Sequence, residues 1–386
     1  MYKTLKDFDF TGKRVIVRVD FNVPLKEGKV DNDKRIRSAL PTINYLHEHE
    51  AKIILMSHLG RPKGKIVDEL RMDPVAERLS ELTGKKVTKL DDCVGEDVEK
   101  AVKGMAQEEI ILLENLRFHA EEKENDDAFA QKLSRLADIY INDAFGAMHR
   151  AHASVEAITK HLPSGAGLLV EKELEMLSKV DDPERPFYAI LGGLKVSDKI
   201  KVIDNLLKKV DKLFIGGAMM CTFGLAKGYE MGKSVIEPDK VGLAKELMKN
   251  EKLILPTDTV TGESLTEEAK AETYGFDKVP KDRACLDVGP ETVKSWKGLL
   301  NDAKTIIWNG PLGLSEVPQF AEGTNEIARF LADSSATIII GGGDSAAAID
   351  KLGLADKVTH VSTGGGASLE YLEGKTLPGI AALEKG

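Results

Sequence analysis

The stretch "PFYAILGGLKVSDKI", residues 186–200, joins an apolar run to a glycine turn and two basic side chains. The apolar run ends at Gly192 and Gly193, and lysines follow at Lys195 and Lys199. Glycines directly after a buried strand indicate that a backbone segment comes close to another group. Lysines at this spacing lie on one face of a helix. The stretch therefore predicts a strand, a glycine turn and a helix whose two ammonium groups face an anion.

The same alternation of apolar runs and amphipathic segments continues along the whole chain. Runs such as "RVIVRVD", "KIILMSH", "TIIWNGP" and "ATIIIGG" are separated by helical patterns such as "DPVAERLSELTG". Continuous apolar strands that alternate with helices predict parallel sheets covered on both faces. With 386 residues, the chain suits two domains of ~150 residues each. We predict two doubly wound α/β domains joined by a helical segment within 167–180.

Composition excludes several classes of protein. Charged residues make up 30% of the chain, and the longest apolar runs are far too short to span a bilayer. The start "MYKTLKDFDF" has no apolar signal core, so we expect a cytoplasmic protein without a membrane partner. The net charge of −9 argues against nucleic-acid binding but not against a local anion site. Cys93, Cys221 and Cys285 show no CxxC spacing and are expected to be buried free thiols.

Basic and hydrogen-bonding side chains follow the predicted strands of the first half. They are Asp20, Asn22, His58, Arg61, Arg117, Arg150 and His152, and Arg35 opens the helical segment after the first strand. Ligands of open parallel sheets bind beyond the carboxyl ends of the strands. The arginine fork suits carboxylates and phosphates. One such residue alone is more often a surface ion pair or a structural histidine, but the set at one edge predicts a small-anion site.

The strand ends of the second half carry glycines instead. They are Gly192–Gly193, Gly216–Gly217, Gly310, Gly341–Gly343 and Gly364–Gly366. Glycine turns expose backbone N–H groups, and a following helix N-terminus favours anions. Asp344 could hold a cation on a phosphate, and Glu316 could bind a pair of hydroxyls. One half thus favours a small anion and the other a nucleoside phosphate, which predicts a two-substrate phosphoryl transferase.

Three other patterns are weaker. "KGYEMGKS" is one residue too short for a P-loop. "GGGDSA" fits a dinucleotide turn, but no acidic residue ends a second strand ~20 residues later. His149 and His152 lack further ligands at the spacing of a zinc site. An NAD-dependent dehydrogenase and a non-catalytic two-lobed anion-binding protein remain the alternatives.

Eight segments, in order along the chain, together resemble phosphoglycerate kinases. They are "RVDFNVP", "SHLGRP", "LENLRF", "HRAH", "GGLKVSDK", "WNGP", "GGGDS" and "STGGGASLEYLEGK". The resemblance implies a glycolytic kinase that transfers a phosphoryl group reversibly between 1,3-bisphosphoglycerate and ADP, giving 3-phosphoglycerate and ATP with Mg²⁺. It also implies a monomer of two Rossmann-like domains with a hinge-bending closure.

The resemblance further implies a role for individual positions. The first domain, residues 1–170 with a returning tail 369–386, would bind phosphoglycerate through Asp20, Phe21, Asn22, Arg35, His58, Leu59, Gly60, Arg61, Arg117 and Arg150. The second domain, residues 171–368, would bind the nucleotide through Gly193, Lys195, Lys199, Gly216, Gly217, Asn309, Pro311, Glu316, Gly342, Gly343, Asp344 and Ser345. Arg35, Lys195 and Lys199 would be catalytic, and Asp344 would hold the metal. Leu194 and Ser315 depart from the family's usual Ala and Phe.

Overall fold

The computed structural model of the protein describes residues 2–385. Seventeen strands occur among them: β1 Arg14–Val19, β2 Leu25–Lys26, β3 Lys29–Val30, β4 Lys52–Met56, β5 Val87–Lys89, β6 Ile110–Leu112, β7 Ile139–Asp143, β8 Ser164–Ala166, β9 Phe187–Leu191, β10 Lys212–Ile215, β11 Leu253–Ile254, β12 Asp258–Gly262, β13 Glu272–Gly275, β14 Ala284–Val288, β15 Thr305–Asn309, β16 Thr337–Gly341 and β17 His360–Val361.

The same residues form fourteen α-helices: α1 Lys34–Glu48, α2 Asp73–Thr83, α3 Glu96–Gly104, α4 Glu121–Glu124, α5 Asp127–Ser134, α6 Leu168–Ser178, α7 Ile200–Leu207, α8 Met220–Ala226, α9 Val241–Leu247, α10 Pro290–Leu300, α11 Glu322–Ala332, α12 Gly343–Lys351, α13 Gly366–Leu372 and α14 Pro378–Lys385. Within the described chain, none has both the length and the apolar content needed to cross a bilayer.

Two compact units divide the chain. The first contains the residues up to Leu174 and those from Thr376 onward, and the second is Glu175–Lys375. The first division falls inside α6, within the segment 167–180 that the sequence indicates.

The end of the second unit lies a few residues beyond the predicted position 368. Helix α13 packs on α7, and the Asn205 side chain donates a hydrogen bond of 2.8 Å to the Leu372 carbonyl. The chain therefore rejoins the first unit only at Thr376.

The first unit is built on a six-stranded parallel sheet in the order β5-β6-β4-β1-β7-β8. Its central strands are buried along nearly their whole length, because "VIVRV" and "IYIND" are covered on both faces. The parallel pairing brings the carboxyl ends of β6, β4, β1 and β7 side by side. The residues that follow these four strands therefore share one edge of the sheet.

The second unit is built on another six-stranded parallel sheet, in the order β11-β10-β9-β15-β16-β17. Strands β9 and β15 lie next to each other at its centre and are fully buried. These two sheets and the helices between their strands confirm the predicted α/β class with two doubly wound domains.

A three-stranded antiparallel sheet, β13-β12-β14, lies in the second unit, where the sequence pattern predicts only parallel strands. Its strands read "DTVTG", "ETYG" and "ACLDV", which are too polar for the continuous apolar pattern of a buried parallel strand. Cys93, Cys221 and Cys285 are buried and unbridged, as predicted.

Candidate active site

The loops that follow β1, β4 and β6, where the sequence predicts a small-anion site, are held together by hydrogen bonds. The Asn22 side chain accepts a bond of 2.8 Å from the Gly60 N–H, and the Arg117 guanidinium donates one of 2.8 Å to the Gly60 carbonyl. The Phe21 N–H donates to the Ser57 hydroxyl at 2.8 Å. The loops that follow β1, β4 and β6 thus meet at Gly60.

Gly60 is favoured by its backbone conformation. Its φ is +62°, and a Cβ there would lie 2.7 Å from a methyl carbon of Leu70. A side chain would therefore be strained by the left-handed conformation, and the flexible end of Leu70 would have to shift. The left-handed conformation of Gly60 therefore helps to set the shape of the loop that also carries His58 and Arg61.

Positive charge is concentrated and partly buried at this edge. Burial lowers the pKa of Arg117 to about 10, with Arg18 and Arg150 adding to the effect. The Arg117 side chain is only 8% exposed, and within residues 2–385 its Nε has no hydrogen-bond partner. Burial, followed by Arg18 and Arg117, holds the pKa of His58 well below its usual value. A bound anion would relieve this repulsion.

Three other arginines at this edge are more exposed to solvent than Arg117. Arg35 forms an ion pair of 2.7 Å with Asp20 and remains 37% exposed. The Arg150 Nε donates to a ring nitrogen of His149 at 3.0 Å, and both Arg150 and Arg61 are exposed at the surface. All three guanidinium groups keep contact with solvent.

Arg18 is a buried member of the cluster that sequence reasoning missed. It is fully buried inside β1, donates to the Ser154 hydroxyl at 2.8 Å, and contacts Nδ1 of His58 at 3.0 Å. Ser154 in turn donates to the buried carboxylate of Glu122 at 2.7 Å. Burial opposes ionisation of Glu122, but His152 and Arg18 outweigh it and lower its pKa. Arg18 inside the otherwise apolar run "VIVRV" of β1 was the available signal.

In the second unit, the loops after β9, β10 and β15 pack backbone against backbone. A Cβ on Gly192 would lie 1.8 Å from the Pro311 carbonyl oxygen, and one on Gly310 would lie 2.3 Å from the Gly192 oxygen. A Cβ on Gly217, whose φ is +65°, would lie 2.4 Å from the Gly193 nitrogen. The groups that approach the Gly192–Gly193 turn are therefore the neighbouring glycine loops of the same edge.

The prediction that Lys195 and Lys199 share a helical face is wrong. Helix α7 begins at Ile200, and Lys199 is its N-cap residue, so both lysines lie in the turn before the helix. Ser197 holds this turn by donating its N–H to the Glu237 carboxylate at 3.0 Å. Lys195 is exposed at the surface.

Lys199 is directed into the edge of the sheet. Its ammonium group donates to the Asn309 side-chain oxygen at the end of β15. Burial lowers its pKa, and the carboxylates of Asp198, Asp344 and Glu373 partly oppose this. The Asn309 Nδ2 is buried and has no hydrogen-bond partner within the described range 2–385. The structure thus brings together Lys199 and Asn309 of the predicted nucleotide set.

The remaining predicted nucleotide residues surround the same strand ends. The Ser345 hydroxyl is buried and accepts a bond of 2.6 Å from the Gly310 N–H. Gly342 has a φ of +87° and leads into α12, where Asp344 lies exposed in the first turn. Glu316 is exposed in the loop after Pro311. Backbone N–H groups, a lysine and a carboxylate at such an edge suit a polyphosphate with a bound cation.

The chain is similar to known proteins over nearly its whole length. The family model "Phosphoglycerate kinase" matches residues 5–375. Phosphoglycerate kinases of Moorella thermoacetica and Dictyoglomus turgidum are 55% identical over 386 residues and 56% identical over 387, with 98% of each chain covered. The solved phosphoglycerate kinase of Coxiella burnetii superposes with a TM-score of 0.89 at 40% identity, covering 100% of this chain and 99% of that one. The chain belongs to the phosphoglycerate kinase family.

Proposed function

We propose that the first unit of this kinase binds 3-phosphoglycerate or 1,3-bisphosphoglycerate at its arginine-rich edge, and that the second unit binds ADP or ATP at its glycine-rich edge. The enzyme is a glycolytic phosphoglycerate kinase that moves a phosphoryl group between these two substrates. The observation that carries the assignment is the contrast between the edges. One gathers partly buried guanidinium groups, and the other gathers close-packed glycine loops around Lys199.

The proposed substrate contacts follow the charge of each group. His58, Arg61, Arg117 and Arg150 bind the phosphate distant from the reacting carbon. Asp20 and Asn22 orient the hydroxyl and carboxyl end, and the turns at Phe21 and Leu59–Gly60 keep these side chains in place. Arg35 binds the reacting carboxylate after leaving its ion pair with Asp20.

The transfer needs no covalent bond to the protein. A carboxylate oxygen of 3-phosphoglycerate attacks the γ-phosphorus of ATP, and the bond to the β–γ bridging oxygen breaks with its electron pair going to ADP. Negative charge spreads over the transferred oxygens, so positioned cations lower the barrier. We assign Arg35, Lys195 and Lys199 to this neutralisation.

Mg²⁺ enters as part of the nucleotide substrate. Asp344 fits this ion because its carboxylate is an exposed oxygen ligand beside a glycine turn at the start of α12. Mg²⁺ is usually held by one or two carboxylates together with substrate phosphates and water. Gly193, Gly216, Gly217, Asn309, Pro311, Gly342, Gly343 and Ser345 are proposed to contact the nucleotide around it, and Glu316 its ribose hydroxyls.

Arg35 and Lys195 belong to different units, yet both are assigned to one transferred group. We therefore propose that hinge bending brings the bound substrates together. We further propose that the enzyme acts as a cytoplasmic monomer, as the family resemblance implies, and that it has no nucleic-acid or membrane partners. Light scattering after size exclusion tests the monomer, and a mass of two chains would contradict it.

An assay for ATP-dependent conversion of 3-phosphoglycerate to 1,3-bisphosphoglycerate tests the reaction. The product is reduced by an auxiliary dehydrogenase that consumes NADH. We expect NADH consumption only with ATP, Mg²⁺ and 3-phosphoglycerate all present. NADH consumption without the auxiliary enzyme would indicate a dehydrogenase, and substrate binding without turnover would indicate a binding protein.

A further inference from the structure

Three potential metal ligands meet at the edge of the first sheet, in the unit that does not contain the proposed nucleotide metal. Asp92 and Cys93 follow strand β5, and His119 follows strand β6, which pairs with β5. The carboxylate oxygen, the thiol sulfur and the imidazole nitrogen of these residues all lie within 4.8 Å of one another. None of the roles proposed above uses them.

Hydrogen bonds already fix the cluster in place. The His119 Nε2 lies 2.7 Å from Asp92 Oδ1, and the Cys93 N–H donates to the same oxygen at 2.6 Å. The Glu114 N–H also approaches the Asp92 carbonyl at 3.4 Å. The three potential ligands are therefore pre-positioned by the loops that follow β5 and β6.

The cluster is buried on one side and open on the other. Cys93 is 0% exposed, whereas the His119 and Asp92 side chains are 28% and 51% exposed. An ion can enter past the carboxylate and imidazole and reach the sulfur. The open side leaves room for a water ligand.

The charges around the cluster favour a cation. Burial, then the carboxylates of Asp92 and Glu122, raise the pKa of the Cys93 thiol well above its usual value. The hydrogen bond to Asp92 raises the pKa of His119, and Glu121 acts in the same direction against Lys132. Asp92 and Glu122 thus act on the thiol, while Asp92 and Glu121 act on the imidazole against Lys132. A divalent ion would reverse their effect on the thiol and hold it as the thiolate.

We propose that Asp92, Cys93 and His119 form a three-ligand site for a borderline-soft divalent ion such as Zn²⁺, completed by water. Thiolate and imidazole select this class of ion over Mg²⁺. On binding, the Cys93 sulfur forms the metal bond and its proton passes to solvent. The ion would tie the loop after β5 to the turn Leu116–Phe118, which carries Arg117.

Titration of the reduced full-length protein with Co²⁺ tests the site, because cobalt bound to thiolate gives a charge-transfer absorption. We expect saturation at one equivalent and displacement by Zn²⁺. Cys93→Ser and His119→Asn should each weaken binding by at least ~10-fold, as loss of a ligand exceeds the loss of an outer contact. Zn²⁺ should raise the melting temperature of the parent protein but not that of Cys93→Ser.

Two matched controls should leave the absorption unchanged. His161→Asn removes a histidine that lies 3.1 Å from Asp127 without a neighbouring thiol. Cys221→Ser removes a buried thiol from the other unit. Absence of the band at saturating Co²⁺, or its loss in Cys221→Ser with retention in Cys93→Ser, would overturn the proposal. If Cys93→Ser does not fold, an unchanged Co²⁺ affinity in His119→Asn would overturn it.

Discussion

At the scale of single residues, Lys195 and Lys199 are four positions apart but have different surroundings. Lys195 is exposed, while Lys199 is partly buried and bonded to Asn309. We expect Lys195 to act mainly when charge spreads over the transferred group, so Lys195→Ala should lower kcat by ~10²-fold or more. Its ADP affinity should change little, because an interaction made only in the transition state affects turnover.

Steady-state kinetics and equilibrium titration with ADP check this prediction. Lys201→Ala, which removes an exposed lysine from the first turn of α7, is the matched control. Near-normal turnover in folded Lys195→Ala would mean that Lys195 is a solvent-exposed surface residue without a catalytic role.

His58 gives a pH dependence of stability. Its pKa in the folded protein is held well below 6.5 by burial and by Arg18 and Arg117. Below pH 6.5, the unfolded chain therefore binds more protons at this position than the folded chain. The free energy of unfolding should fall as the pH drops through this range.

His58→Asn keeps a polar atom beside Arg18 but cannot titrate, so it should flatten this decline. Urea midpoints measured across the acid range, with the exposed His49→Asn as control, provide the comparison. An equal decline in His58→Asn and the parent protein would contradict the assignment.

Sequence patterns predicted most of the charged residues that lie at the edge of the first sheet, but not the contacts that hold them there. Arg117, His58 and Asn22 follow apolar runs and could be located from strand ends alone. Arg18 escaped because a buried arginine needs partners from distant segments, and its partner Ser154 is 136 residues away. A contact between residues so far apart in the chain leaves no local sequence pattern.

At the scale of secondary-structure elements, two glycines of the second unit share a left-handed conformation but differ in the space around them. Gly217 has a φ of +65° and a neighbouring nitrogen 2.4 Å from its ideal Cβ, while Gly353 has a φ of +67° and open space. Gly353→Ala should cost only the left-handed conformation, ~1–2 kcal/mol. Gly217→Ala should cost more and should also weaken ADP binding, because it pushes apart loops of the proposed nucleotide edge.

Denaturant unfolding of both variants, with calorimetric titration of ADP, measures the two effects. Equal destabilisation by Gly217→Ala and Gly353→Ala would show that the loops can part without cost.

Strand ends were predictable at this scale, whereas the start of helix α7 was not. The run "FYAIL" and its glycines mark β9 directly. The spacing of Lys195 and Lys199 suggested a helix, but Glu237 binds the backbone and hydroxyl of Ser197 and holds the segment as a turn. A contact across 40 residues overrides the local pattern.

At the scale of the whole molecule, hinge bending predicts a change of dimensions with ligands. Each substrate alone should leave the radius of gyration near that of the free enzyme. Both together, as 3-phosphoglycerate with a non-hydrolysable ATP analogue and Mg²⁺, should give the smallest radius in small-angle scattering. An unchanged radius in all four states would remove closure from the mechanism.

Much of the whole-molecule organisation was predictable from the sequence. The two domains follow from chain length and from the alternation of strands and helices. The return of the chain end to the first unit was implied only by family resemblance. It depends on packing of α14, including the Gly379 N–H bond of 2.9 Å to the Met148 carbonyl, which no local pattern encodes.

The division of labour between the two units is tested most directly by calorimetry of two variants with two ligands. In the full-length enzyme, Arg117→Ala should weaken 3-phosphoglycerate binding by ~10- to 100-fold, the typical loss of a charge-assisted hydrogen bond, and leave ADP affinity unchanged. Lys199→Ala should weaken ADP binding and leave 3-phosphoglycerate affinity unchanged. If Arg117→Ala instead weakened ADP binding, or if Lys199→Ala weakened 3-phosphoglycerate binding alone, the assignment of substrates to units would be contradicted.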